Sequence, residues 1–447
     1  MNRLKEFFGG SLRQSGMIFA LVFLIAFFQI ATGGKVLTPT NAMNIVNGNS
    51  YVFLMSMGMV LVIVIGQIDL SVGSVAAFVG ICVALLMSDF GLPWWLAMLA
   101  GLGLGAAVGA FHGFFLAKLT IPGFITTLAG MMLFRGLQTW IGNSQSIPTP
   151  EAFWILGGSS ANGSLPDWGP DFGLNNSTLL CGLVAIGFLW WSKLRTRAKR
   201  IALVGEAEAM WVTVAKNVIM TLVIGYATWL FASGHSDLPG RVHTALPIPG
   251  VIVIVLAIFY HTLSQRTAFG RHIYAVGGNR LAAPLTGINV PRTYFFTMMN
   301  MSILAAIAGM MFIGRSRASG PSDGTGWELD VIAAVFVGGA AVYGGIGTVM
   351  GSLVGGLVMA VLNNGIQLLG LGTEIGKIVK GMVLLLAVTF DVMNKVQGKP
   401  SFIGRLMDGL RPKKGDEAGS AEPPATEEPR DPEWPAYEPQ DPTEAPA

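Results

Sequence analysis

The residues able to do chemistry are few, and most lie where hydrocarbon is expected. Asp69, in GQIDLSVGS starting at Gly66, falls between two stretches that each read as a membrane span. A lipid-facing carboxylate costs at least about 2.5 kcal/mol, so Asp69 is expected to face a bundle interior or a wet cavity. Arg135, in LFRGLQ, also lies within a predicted span and needs a carboxylate or carbonyls as partner. His112, in an apolar helix, reads either as a proton carrier or as a histidine hydrogen-bonded within the bundle. Asn363 and Asn364 offer donors and acceptors suited to interhelical bonds first and to sugar hydroxyls second.

Absent patterns exclude several chemistries. No G-x-x-x-x-G-K-[ST] loop occurs: Gly376-Lys377 is followed by Ile378, and Gly34-Lys35 by Val36, so ATP is not held here by that motif. No His/Cys cluster has zinc spacing, and no D-x-D pair marks a membrane sugar transferase. The two cysteines, Cys82 and Cys181, sit in apolar runs and do not organise a disulfide framework. The chain is not expected to be an enzyme or to hold a cofactor or metal.

The elements that must position these residues are membrane helices. Hydrophobic residues make up 52% and charged ones 12%, and several apolar runs approach the roughly 20 residues that cross a bilayer. A hydropathy walk predicts about twelve transmembrane or re-entrant helices, near 16–32, 51–68, 72–88, 94–116, 122–141, 178–192, 212–232, 246–263, 293–313, 330–343, 347–370 and 376–393. The first follows Arg3, Lys5 and Arg13 as a signal peptide would, but it is long and lacks an A-x-A exit, so it reads as a retained span. The segment at 330–343 is short and bounded by Gly344-Gly345, which predicts a re-entrant or broken helix; Pro122-Gly123 invites the same reading. The fold class is all-α polytopic membrane protein.

Charge sets the expected orientation. If the spans alternate, Arg3 and Lys5, Lys118, Lys193 to Arg200, Arg266 to Arg292 and Lys395 to Lys414 share one side, the cytoplasm. The stretch 143–176 lacks Lys and Arg, falls outside and reads as a structured loop, whereas 264–292 falls inside and contains a short helix. From Lys413 onward ten acids face Lys413, Lys414 and Arg430, a net −7 that leaves +10 on the rest. That Pro-, Glu- and Ala-rich tail is expected to be disordered from about residue 413.

Glycines recur every fourth residue at Gly101, Gly105, Gly109 and Gly113, and again at Gly347, Gly351 and Gly355, predicting flat helix faces for close packing. A polar residue beside glycine follows each stripe, with Asp69 and Asp330 upstream, the trace of an internal repeat.

Three segments, MGMVLVIVIGQIDLSVGSVAAF from Met57, FGRHIYAVGGNRLAAPLTGINVPR from Phe269 and ELDVIAAVFVGGAAVYGGIGTVMG from Glu328, resemble the permease subunits of bacterial monosaccharide ABC importers. IPGFITTLAGMMLFRGL from Ile121 and LNNGIQLLG from Leu362 resemble them too, and the resemblance spans roughly residues 16 to 400. Added length between about Thr178 and Pro247 is similar to the xylose-type and multiple-monosaccharide permeases, which implies a pentose or hexose substrate, xylose first.

The resemblance implies a second permease copy, as a homodimer, a separate cytoplasmic ATPase holding ATP and Mg, and a periplasmic or lipid-anchored sugar-binding protein. The surroundings are lipid of the bacterial cytoplasmic (inner) membrane, both termini are cytoplasmic, and no nucleic acid is involved. It implies a cytoplasmic N-terminus at 1–15, a transmembrane domain at 16–400 with a periplasmic loop at 143–177 and a coupling loop at 264–292, and a cytoplasmic tail at 401–447.

Leu281 to Gly287 fits the importers' E-A-A-x-x-x-G pattern with two departures, Leu281 at the Glu position and Pro284 inside the motif, where proline breaks a helix interior. Arg271, Gly277, Gly278, Asn279, Arg280, Ala282, Ala283 and Gly287 are thereby assigned to ATPase coupling. Asp69, Ser71, Phe124, Asn363 and Asn364 are assigned to the substrate pathway, and Arg135 and Asp330 to structure. In that family the Asp69 motif marks a span junction, so capping of the next helix or pairing with Arg135 competes with a pathway role. The alternative function is an ion-coupled secondary sugar transporter using Asp69 and His112; a passive channel or scaffold is a third.

Overall fold

In hydrocarbon every backbone polar group needs an internal partner, so uncharged apolar runs become helices. The computed structural model describes residues 12–160, 162–168, 173–204, 209–234 and 244–395; residues 1–11 and the tail from Val396 lie outside them. The helices run α1 Leu12–Ala31, α2 Pro39–Val64, α3 Val72–Ser88, α4 Trp94–Lys118, α5 Gly123–Ile141, α6 Asn176–Val204, α7 Met210–Ala232, α8 Ile248–Arg266, α9 Ala268–Gly278, α10 Val290–Ser316, α11 Trp327–Val337, α12 Val349–Leu368 and α13 Thr373–Lys395. Among the described residues seven helices, α2, α4, α6, α7, α8, α10 and α12, are long and apolar enough to cross a membrane. The protein is therefore a multi-pass, all-α membrane protein.

Helices α2 and α10 form the axis. Met55, Met57 and Leu61 on α2, with Met298, Met301 and Leu304 on α10, have almost no exposed surface. Helix α2 begins twelve residues earlier than hydropathy predicts, because Asn41, Asn47, Asn49 and Ser50 are buried against protein rather than lipid. Their polarity lowers the window average without exposing them to hydrocarbon. Pro39 at the first turn marks the true start.

The first glycine stripe lies on α4 and faces α10. A Cβ at Gly105 would sit 2.6 Å from the Ala306 Cβ, and one at Gly109 would sit 2.5 Å from the Met299 Cα. On the second stripe, Gly351 and Gly355 receive α11 at the carbonyls of Gly338 and Ala334. Gly347 does not belong to it: α12 starts at Val349 with Thr348 as N-cap, and Gly347 packs in the preceding loop against Val60 and Val64. Helix α11 stops at Val337, six residues short of the predicted 343, because Gly338 and Gly339 turn the chain and the loop to Thr348 is irregular. Eleven residues give about 16 Å of helix at 1.5 Å per residue, roughly half a hydrocarbon core, so α11 is a broken span.

At one end, strand β1 (Ile147–Pro148) pairs antiparallel with β2 (Ala318–Ser319). A 3-10 helix, Glu151–Gly157, seats Phe153 under α10, and Arg317 lies 4.4 Å over the Trp154 ring while donating to Ser159. The described part of the 143–176 stretch is thus structured. At the other end α9 leans on the C-termini of α2 and α8 and on α10.

Gly109→Leu is expected to force α4 and α10 apart at backbone contact and to lower stability by at least roughly 1–3 kcal/mol. Gly103→Ala, on a face with nothing within 4 Å, is expected to be neutral. Thermal unfolding of the two variants in detergent checks this.

Candidate functional site

Two interruptions in the helical bundle concentrate the polar chemistry. The first is the segment from Ile65 to Ser71, between α2 and α3. Its freed backbone groups are met by the start of α5: the Gly123 N–H donates to the Gln67 Oε1 at 2.9 Å, and the Leu70 N–H to the Thr127 Oγ1 at 3.1 Å. Thr127 in turn donates to the Ile68 carbonyl. Asp69 is 1% exposed, and its Oδ1 accepts from the Ser71 N–H at 2.8 Å and the Ser71 hydroxyl at 2.5 Å. Ser71, not Asp69, is the N-cap of α3, so Asp69 closes a turn ahead of the helix instead of capping it.

Arg135 does not pair with Asp69. It donates to the Asp323 carbonyl and to Gln138, while the Gln138 amide reaches the Gly320 carbonyl at 2.9 Å, so α5 is pinned to the loop before α11. The need of a membrane arginine for partners was legible, but a partner 188 residues away was not.

Beside Asp69 stands His112 on α4, fully buried and packed edge-on to the Phe134 ring at 5.6 Å. Neither His112 nitrogen, nor the Asp69 Oδ2, has a hydrogen-bond partner among the described residues, and the Asp69 charge reaches the imidazole electrostatically. His112 is therefore not the hydrogen-bonded bundle histidine that the sequence offered as one option. Phe124, at the start of α5, is exposed.

The second polar group joins α2, α11, α12 and α13. Lys380 lies 2.8 Å from the Asp330 Oδ1 and donates to its Oδ2 at 2.9 Å, with Lys380 27% exposed and Asp330 only 3%. The contact to Oδ1 is an electrostatic one; the directional bond goes to Oδ2. Tyr51 and Asn363 also donate to that Oδ2, at 3.3 Å and 3.4 Å, and Tyr51 stacks on Trp327 at 4.2 Å. Asp330 sits in the first turn of α11, where the helix dipole favours an anion. Asn363 donates further to Asn49, and it keeps partial exposure. Asn364 is buried and exchanges two amide bonds with Asn41, at 2.8 Å and 2.9 Å. Lys380 and Tyr51 were missed in the sequence: one sits in an amphipathic stretch that reads as a basic face, the other in an apolar run that reads as core.

The third group lies at the α9 end. Thr267 caps α9, and its C-cap Asn279 accepts from the Leu281 and Ala282 N–H groups at 3.0 Å each, turning the chain into a 3-10 helix, Ala283–Thr286. Pro284 thus sits in a short turn, as a break in the motif requires, and Gly287 closes it at φ 81°. Arg271, Gly278, Arg280 and Ala282 are exposed, Ala283 is buried, and Arg280 lies 5.3 Å over the Tyr294 ring. Leu281 and Leu285 are 86% and 87% exposed, and Leu281 lines a groove of about 220 Å³ together with Leu116, Pro284 and Tyr294.

Gly277 ties this end to both interruptions. A Cβ there would overlap the Val64 carbonyl oxygen, which also accepts from the Gly345 N–H at 2.8 Å. Tyr274 donates to the Gly347 carbonyl at 2.8 Å. Burial pushes the Tyr274 hydroxyl up from its ordinary value, so it remains a donor.

The family described as "Branched-chain amino acid transport system / permease component" matches residues 41–227 and 151–388. The chain is 36% identical over 380 residues to the xylose transport system permease protein XylH of Haemophilus influenzae, covering 85% of this chain and 96% of that one. It is 35% identical to XylH of Escherichia coli K12, covering 85% and 91%. It is 31% identical to the E. coli K12 ribose import permease protein RbsC, covering 86% and 95%. No solved structure matches it. Similarity along nearly the whole length of such proteins, with every quoted motif inside it, means that the chain belongs to this family of transport-system permease components.

Proposed function

We propose that this chain is the membrane subunit of an ATP-driven ABC importer that carries a monosaccharide, a xylose-like pentose first. The observation that carries the ATP-driven reading is α9. Outside the long spans, the turn that follows α9 presents exposed Leu281 and Leu285, while α9 itself is bonded through Tyr274 to the loop between α11 and α12 and packs through Gly277 against the Val64 carbonyl at the end of α2. A push on such a helix has a rigid route to both interruptions. The ion-coupled alternative needs no such helix, and the relatives are named as permease components of transport systems.

In this reading hydrolysis takes place on a separate ATPase docked at Arg271, Arg280, Leu281 and Leu285. The α9 end faces the cytoplasm, both termini lie there, and the membrane is the bacterial inner membrane. A binding protein delivers sugar at the β1–β2 end, and a second copy of the chain completes the pathway. Two states that differ in affinity for sugar and binding protein are required, since otherwise nucleotide has nothing to shift. For the pathway, Asn363 with Asp330 and Lys380 supplies amide, carboxylate and ammonium groups beside aromatic rings, the chemistry that hydroxyl-rich ligands use. Asp69, Ser71 and Asn364 act from behind it, by holding the α2–α3 turn and the α2–α12 contact; Phe124 is left as an exposed pathway contact.

Uptake of labelled xylose, ribose, glucose and galactose into proteoliposomes is expected to require both the ATPase and the binding protein; uptake by this chain alone, abolished by an uncoupler, would return the ion-coupled reading. Tyr274→Phe is expected to cut ATP-driven uptake by about tenfold at unchanged thermal midpoint, and wild-type uptake by that variant would remove α9 from the route. Asn363→Ala is expected to raise the KM for sugar with the fold intact. Asn364→Ala is expected to leave the buried Asn41 Oδ1 without its donor and cost roughly 1–3 kcal/mol of stability, read by thermal unfolding.

A further inference from the structure

Helices α6 and α7 form a pair: α6 packs chiefly on α7, and α7 also packs on α2. Their outer surfaces are apolar, with Leu183, Val184, Phe188, Ile219, Leu222 and Val223 exposed. Where that belt ends, exposed Trp191 and Trp211 mark a membrane–water interface, and Arg195 lies 5.0 Å over the Trp191 ring.

At that level the two helices enclose a cavity of about 210 Å³. Lys193, Arg197 and Arg200 of α6 line one wall at four- and three-residue spacing, and Thr213, Lys216 and Asn217 of α7 line the other. None of the described residues lining it is acidic. Asn217 is 2% exposed, and its Nδ2 has no hydrogen-bond partner among the described residues. A buried amide donor left without an acceptor inside a cationic cavity asks for an anion carrying oxygen acceptors.

We propose that this cavity binds the phosphate of an anionic lipid headgroup. Position decides between a lipid and a free anion: the acyl chains of a headgroup held here run directly along the exposed apolar faces of α6 and α7, whereas a free phosphate gains nothing from them. Basic pockets between membrane helices at the interface suit this ligand class. Lys193 and Arg200, both exposed, reach the phosphate from the rim, and Asn217 meets it at the base.

The test titrates phosphatidylglycerol, phosphatidylcholine and inorganic phosphate onto the full-length protein in neutral detergent, with bound lipid read by native mass spectrometry. Phosphatidylglycerol is expected to bind about tenfold more tightly than phosphatidylcholine. Lys193→Gln with Arg200→Gln, which changes only exposed side chains, is expected to erase that preference. Asn217→Leu should weaken it, and Arg266→Gln, a cation of the same end outside the cavity, should keep it. Equal binding of the two lipids, or a preference that survives in the double variant, overturns the proposal. Displacement of phosphatidylglycerol by millimolar inorganic phosphate reassigns the cavity to a free anion and overturns it as well.

Discussion

Val64 ends α2, and its carbonyl oxygen has no next turn to bond. In a membrane that oxygen cannot be left to solvent, and an unmet polar group costs several kcal/mol. The structure meets it with the Gly345 N–H from the loop between α11 and α12, and Gly277 of α9 lies against the same atom. Two distant segments therefore converge on one carbonyl of a third, each with a glycine at the point of contact. Gly344 and Gly345 both have positive φ, at 81° and 75°, a backbone that other residues adopt only with strain. Much else follows from this closure: the α2–α3 turn is free to bond α5, α11 can end halfway, and α9 is held where it touches both.

The same constraint separates what was legible in the sequence from what was not. Spans were legible because their signal is local: hydropathy along a window finds α3, α4, α5 and α7 nearly to the residue. It fails at α2, where four buried polar residues lie against protein, and it underestimates α6, which continues to Val204 through Lys193 to Arg200, beyond the apolar part. That α11 is a broken span was legible from its shortness and a bounding glycine pair, but the helix ends at Gly338-Gly339 and not at the Gly344-Gly345 that the sequence suggested. The partners that heal the break were not legible, since Tyr274 and Gly347 are 73 residues apart and Asn41 and Asn364 are 323 apart. Residue types announce that a partner is needed; only the packed bundle says which.

Asp69 shows how far type and context reach. Its burial was predictable from the cost of a carboxylate near lipid, but its place was not: it serves Ser71 through one oxygen and leaves the other, with both His112 nitrogens, without a bond among the described residues. Asp330 has the opposite environment. It carries an ammonium, a phenol and an amide on one carboxylate at a helix N-terminus. The two acids ahead of the two glycine stripes are thus chemically unequal, one buried with few bonds among the described residues, the other polar and partly open at Lys380.

Close approach also divides the bundle mechanically. Helices α3, α4 and α10 meet backbone to backbone: a Cβ on Gly309 would overlap the Ala76 carbonyl, and Gly109 and Gly113 lie against the backbone of Met299 and Phe295. Packed surfaces of this kind resist sliding, because any shift puts atoms into one another before it opens space. The two interrupting loops are different. They hold positive-φ glycines at Gly66, Gly339, Gly344 and Gly345, and a few hydrogen bonds attach them to α5 and α9. A displacement of α9 consequently spends itself in those loops and in the half-span α11, whose first turn holds Asp330.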